Sequence, residues 1–159
     1  AKIANYGIAR SVEREGSEGE QYVMTRHIVG TRGYMAPEYL EYGLVSTELD
    51  VYAFGVLMLK MLTGKDVAHV YAKGNIVNLE DILSSVLDEE GEHLRLSEFI
   101  DPSLQGNYPM ELAVFVSRII RTCIKKDSEN RLYMHEMVSS MSKALDSSMR
   151  WETSIERKF

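Results

Sequence analysis

Thr47-Glu48-Leu49-Asp50-Val51-Tyr52-Ala53-Phe54-Gly55-Val56-Leu57-Met58-Leu59-Lys60-Met61-Leu62 is the stretch on which the fold turns. Val51, Phe54, Val56, Leu57, Met58, Leu59, Met61 and Leu62 leave almost no polar face, and a helix apolar all round in a soluble protein must be central and buried. Ser46 or Thr47 stands where a hydroxyl caps a helix start, and Gly64 followed by Lys65 suits its end. The longest strongly apolar run, Val51 to Leu59, stops at Lys60. A bilayer needs about 20 such residues, so this helix belongs to a core and not to a membrane.

Upstream of this helix, Pro37 to Tyr42 is a short helix candidate with proline at its first position. Asn78 caps a second helix on which Leu79, Ile82, Leu83, Val86 and Leu87 recur at helical spacing and make one apolar face. Two further helices follow, one with Leu112, Val116, Ile119, Ile120 and Cys123 on a face, the other with Met134, Met137, Val138, Met141 and Leu145. Both faces are expected to pack on the central helix. From Asp146 to Phe159 the period is lost, which predicts a frayed tail that Trp151 anchors. Upstream, Ala1 to Ser11 reads as short extended pieces around a turn, and Val12 to Gln21, rich in Glu, Ser and Gly, as an exposed mobile loop carrying accessible Ser11 and Ser17 hydroxyls. Asp88 to Glu92 reads as an acidic turn, and Asp101-Pro102 and Asn107-Tyr108-Pro109 as loops. There is no internal repeat and no low-complexity tract.

The 159 residues are 45% hydrophobic and 26% charged, the usage of one ordinary globular domain. With 18 Lys and Arg against 24 Asp and Glu the formal charge is -6, which gives no footprint for a nucleic acid backbone and no polybasic membrane patch. The single cysteine, Cys123, cannot form an internal disulfide; it lies in an apolar stretch and fits a reducing compartment. The opening Ala1-Lys2-Ile3-Ala4-Asn5 has no initiator methionine and no signal-peptide pattern, as expected of a sequence that begins inside something larger. His27, His69, His93 and His135 are scattered without ligand spacing, so no structural zinc is expected.

Gly30-Thr31-Arg32-Gly33-Tyr34-Met35-Ala36-Pro37-Glu38 and Asp50-Val51-Tyr52-Ala53-Phe54-Gly55-Val56, in that order, resemble the C-terminal lobe of protein kinases. The first ends in the A-P-E motif that closes a kinase activation segment, and Asn5-Tyr6-Gly7 occupies the place of the D-F-G that opens it. The wording is similar to the serine/threonine receptor-like kinases of plants. "AKIANYG", "TRHIVGT" and "APEYLEYGLV" are most similar to the LysM-type members, some of which are regarded as pseudokinases. The resemblance implies a mainly α fold, the C-terminal lobe of a kinase-like domain over residues 1–145 with short β pieces near the N-terminus, followed by a tail over 146–159. No G-x-G-x-x-G and no His-Arg-Asp occur in the 159 residues. The phosphate loop, strand lysine and catalytic loop of the family therefore lie outside them, and the chain corresponds to roughly half of a catalytic domain, its core open on the side facing those parts.

The resemblance also implies roles. Asn5 stands where active kinases carry the Asp that holds Mg²⁺; a neutral amide binds magnesium more weakly than a carboxylate does. By local chemistry alone Asn5 is a turn residue before Gly7, and Tyr6 packs where Phe is usual. Glu38 and Arg131 are expected to pair and tie the activation segment to the lobe, with Pro37 opening the helix between; without the motif each is a solvated charge. Leu132 follows Arg131 where Pro is more frequent in this branch, so the last helix is entered differently. Asp50 is expected to accept hydrogen bonds from the catalytic loop, or else to be an ordinary first-turn acid. Thr25 and Thr31 lie in the activation segment, Thr25 at a frequent phosphosite with Arg10, Arg26 and Arg32 available to neutralise a phosphate, and Ser11 and Ser17 upstream of it.

The expectation is a signalling module on the cytoplasmic side of the plasma membrane. The resemblance implies that it belongs to a single-pass LysM-type receptor that senses chitin-type oligosaccharides and works as a pseudokinase with an active receptor-like kinase co-receptor and cytoplasmic signalling proteins. The membrane is reached only through other segments of the parent. The chain itself is expected to use no cofactor, while active family members use ATP and Mg²⁺. The alternatives are an active serine/threonine kinase in its full-length form and a stand-alone helical binding module from a truncated gene.

Overall fold

The computed structural model describes residues 6–12, 22–65, 78–87 and 91–156. Asn5, Ser17, His69 and most of the Glu-rich loop lie outside these residues. The described chain is mainly helical: α1 (Pro37–Tyr42), α2 (Glu48–Thr63), α3 (Leu79–Leu87), α4 (Glu92–Phe99), α5 (Met110–Cys123) and α6 (Met134–Glu156). Single 3₁₀ turns stand at Tyr6–Ile8, Pro102–Leu104 and Ser128–Asn130. Two short strands, β1 (Val23–Met24) and β2 (Leu44–Val45), pair antiparallel with Val23 opposite Val45 and Met24 opposite Leu44. Among the described residues the β pieces thus lie beyond Ser11, and Tyr6–Ile8 turns as 3₁₀ helix.

The central helix forms where expected and packs most extensively against α5, with Val51, Tyr52, Val56, Met58 and Leu59 buried. Gly55 makes the close crossing possible. A Cβ there would stand 2.6 Å from Cys123 Cβ and 2.8 Å from Ile124 Cγ2, so only a residue without one lets the two backbones approach. The helix is not buried all round, however: Phe54, Leu57 and Met61, at helical spacing, are 37%, 41% and 74% exposed. Nor does a hydroxyl cap its start, because Thr47 donates to Glu48 Oε1 at 3.1 Å instead. Its end is as expected, with Gly64 left-handed and its N–H on the Lys60 carbonyl.

α3 begins with Asn78, whose side-chain oxygen accepts from the Glu80 N–H at 3.1 Å, and it buries Leu79, Leu83 and Leu87 against α4 and α5. Glu92 is not the end of a turn but the first residue of α4, a helix whose short polar sequence gives little periodic signal. Leu96 and Ile100 of that region meet Ala113 and Val114 in a smaller second core. α5 presents the expected face: Ile119, Ile120 and Cys123 are buried and Val116 packs on the main core. Burial pushes the Cys123 thiol up to about 12, with the Arg131 charge opposing the rise.

The last helix differs from expectation in three ways. It runs unbroken to Glu156, so the stretch after Asp146 is helical and not frayed, with Trp151 half-buried on it. It packs chiefly on α5 rather than on α2, though Met137 and Met141 reach the main core. Its buried side is Met137 and Ala144, while Met134, Val138 and Leu145 are exposed. Its entry is set by Glu136, whose carboxylate accepts from the Tyr133 N–H at 2.9 Å, and Leu132 packs against the core where Pro is frequent. Among the described residues no helix is long and apolar enough to cross a membrane.

Candidate functional site

Arg131 is the anchor of the site. Its side chain is fully buried, and two of its nitrogens meet the two carboxylate oxygens of Glu38, Nη1 to Oε1 at 2.6 Å and Nη2 to Oε2 at 2.8 Å. The remaining donors are used as well. Nε reaches the Lys125 carbonyl at 2.8 Å, Nη1 the Glu48 carbonyl at 3.2 Å and Nη2 the Lys126 carbonyl at 3.4 Å. The guanidinium also lies over the Tyr52 ring, 5.0 Å from its centroid. A planar fork with five N–H donors satisfies all of these at once, which a lysine ammonium cannot do. The expected Glu38–Arg131 pair is thus formed, and the backbone carbonyls and Tyr52 around it carry no sequence signal of their own.

This bridge spans the chain from α1 to the turn before α6, and through α1 it reaches the activation segment. Pro37 opens α1 at its first position, and Gly43 closes it in the left-handed region at φ 68°. Gly43 has no room for a Cβ, which would stand 2.1 Å from the Thr25 carbonyl oxygen, and its own carbonyl accepts from the Thr25 N–H at 2.8 Å. The β1–β2 pair continues this contact. Tyr39 of α1 adds a second restraint, its hydroxyl accepting from the Val29 N–H at 3.0 Å and standing 3.4 Å from the His27 carbonyl and 3.3 Å from that of Val29. Sequence motifs do not reveal Tyr39; only its position one residue after A-P-E places it here.

Thr25 is half-buried, its hydroxyl turned to His27, whereas Thr31 and Ser11 are exposed. Arg10, Arg26 and Arg32 are exposed as well. Asp50 is exposed in the first turn of α2, in the place of a first-turn acid. Gly7 lies in the 3₁₀ turn with open space where a Cβ would stand. The structure brings Glu38 and Arg131 together directly and joins Thr25 to the end of α1 through Gly43; among the described residues no side-chain bond brings Asp50 to either.

Among the described residues no three His, Cys, Asp or Glu side chains stand together to hold a metal ion. What the arrangement does is hold the segment that carries the Thr25 and Thr31 hydroxyls against α1.

The sequence matches the protein kinase domain model over residues 1–141. It is 39% identical to Protein LYK5 of Arabidopsis thaliana over 97% of this chain and 23% of that protein. It is 34% identical to LysM domain receptor-like kinase 3 of the same plant, over 98% of this chain and 25% of that protein. A probable serine/threonine-protein kinase, PBL11, also of Arabidopsis thaliana, is 34% identical over 89% of this chain and 34% of its own length. The chain thus spans about a quarter to a third of the length of these relatives. With its helical lobe, its A-P-E glutamate bridged to Arg131 and its similarity to plant receptor-like kinases, the chain belongs to the protein kinase family.

Proposed function

We propose that the chain is part of the cytoplasmic kinase-like domain of a LysM-type receptor, and that this domain is a pseudokinase signalling through an active receptor-like kinase co-receptor. The observation that carries the reading is Asn5-Tyr6-Gly7 at the head of the activation segment. A neutral amide replaces the carboxylate that would hold Mg²⁺ against nucleotide phosphates, and phosphoryl transfer depends almost wholly on that positioning. The similarity to Protein LYK5 and LysM domain receptor-like kinase 3 supports a LysM-type parent, hence chitin-type oligosaccharides as the signal and the inner face of the plasma membrane as the place. In this reading ATP and Mg²⁺ serve the partner, which phosphorylates Thr25, Thr31, Ser11 or Ser17, and cytoplasmic signalling proteins read the result. The open apolar side of α2 is covered by the rest of the kinase-like domain.

A second reading is an active serine/threonine kinase, favoured by the intact Glu38–Arg131 bridge, which active kinases also need. Radiolabelled phosphate transfer by the whole intracellular domain separates the two. Label appearing only when an active receptor kinase is added supports the pseudokinase; label on an added protein substrate without that partner overturns it.

A further inference from the structure

Thr25 is held from two directions. Its N–H donates to the Gly43 carbonyl at 2.8 Å, and its own carbonyl packs against Gly43 too closely for any Cβ. Its hydroxyl accepts from the His27 N–H at 3.2 Å and faces the His27 carbonyl at 3.5 Å. That same carbonyl stands 3.4 Å from the Tyr39 hydroxyl, which also accepts from the Val29 N–H at 3.0 Å. The Thr25 turn is therefore closed on its far side by a hydroxyl of α1, and the side chain that would receive a phosphoryl group is already occupied.

We propose that Tyr39 latches the Thr25 turn and thereby sets how fast another kinase phosphorylates Thr25. This rests on the reading of Thr25 as an acceptor and adds its regulation. Transfer requires the acceptor oxygen to be free and in line with the γ-phosphorus. The Thr25 O–H bond breaks and an Oγ–P bond forms. The bond from the γ-phosphorus to its bridging oxygen breaks, ADP leaves with that electron pair, and the proton passes to a base of the partner kinase. In the latched turn the oxygen accepts from His27 N–H and its proton faces the His27 carbonyl, so the turn must open first. Once phosphorylated, Oγ has no proton to return to that carbonyl, and the latch does not re-form as before. Tyr39 is a positioning residue here, since it touches neither nucleotide nor acceptor oxygen.

The test uses the full 159-residue chain and trypsin as a conformational probe, because the Arg26–His27 bond lies inside the latch and the exposed Arg10–Ser11 bond outside it. In Tyr39→Phe, which keeps the ring and loses the hydroxyl, cleavage at Arg26 relative to Arg10 is expected to rise about tenfold, the effect of one lost hydrogen bond. Thr25→Val should raise the same ratio from the other side of the turn. If Tyr39→Phe instead unfolds, cleavage at Arg121 in α5 rises with it, and the Thr25→Val ratio decides. An unchanged ratio in Thr25→Val together with no selective rise in Tyr39→Phe overturns the latch. In a second arm, ATP, Mg²⁺ and an active LysM-type receptor kinase domain are added, and phosphate on Thr25 is followed by mass spectrometry. Faster labelling of Tyr39→Phe supports the proposal, and equal rates overturn the latch. Thr25 unlabelled in both proteins overturns the acceptor reading on which the proposal rests.

Discussion

Arg131 keeps its charge inside the protein because every donor has a partner: a carboxylate, three backbone carbonyls and an aromatic face. Removing one member of such a buried pair leaves the other uncompensated. Arg131→Ala should therefore cost about 3–5 kcal/mol, or roughly 10 °C in melting temperature for a chain of this size. Arg131→Lys should recover little of it, since an ammonium cannot meet two carboxylate oxygens and the flanking carbonyls together. Thermal denaturation by circular dichroism checks both, and an unchanged melting temperature in Arg131→Ala would remove the bridge from the account. Cys123 makes a second residue-scale case. Its thiol stays protonated up to about 12, whereas an unfolded thiol ionises near 8.5. Below that pH both states carry the proton. Above it only the unfolded state loses it, so stability should fall as pH rises from about 9 towards 12. Urea midpoints at pH 8 and pH 10 should show that fall in the wild type, and a smaller one in Cys123→Ala. Alkylation of the native thiol at pH 8 should be slow until urea opens the core.

At the scale of elements, the crossing of α2 and α5 depends on Gly55. Gly55→Ala places a methyl 2.6 Å from Cys123 Cβ and 2.8 Å from Ile124 Cγ2. Overpacking of this kind costs typically about 1–3 kcal/mol, despite alanine's better helix propensity. A chemical denaturation midpoint that does not move would mean that the two helices stand further apart. The position and length of α2 were legible in its sequence because a long apolar run between a polar start and a glycine stop admits little else. The face of α6 was legible only in part. Hydrophobic periodicity marks Met137 and Met141, which reach the core, but also Met134, Val138 and Leu145, which are exposed, while the helix buries Ala144 and half-buries Ser148 and Trp151. Close packing on α5 selects small residues, and smallness leaves no mark in a hydrophobicity pattern. The same blindness ended the helix at Asp146 in the sequence, although backbone hydrogen bonds carry it to Glu156. Deleting residues 146–159 should accordingly lower the helical signal at 222 nm by about 11 residues' worth, the number from Asp146 to Glu156. A frayed tail would lower it by almost nothing.

For the whole molecule, the Glu38–Arg131 bridge was readable because the family resemblance implies both partners, while the Tyr39 contacts depend on how α1 lies along the segment and so needed the fold. Phe54, Leu57 and Met61 present an exposed apolar row on the helix that forms the core, and exposed rows of this kind promote association. Met61→Lys should reduce self-association of the isolated chain in size-exclusion chromatography without lowering its melting temperature, and should destabilise an intact kinase-like domain in which that row is covered. The proposal that Asn5 does not do the work of a metal-holding aspartate is decided by autophosphorylation of the intact intracellular domain with ATP and Mg²⁺ beside its Asn5→Asp variant. The account predicts no label above background in the wild type, with any gain confined to Asn5→Asp; wild-type label at a rate within tenfold of an active receptor kinase would contradict it.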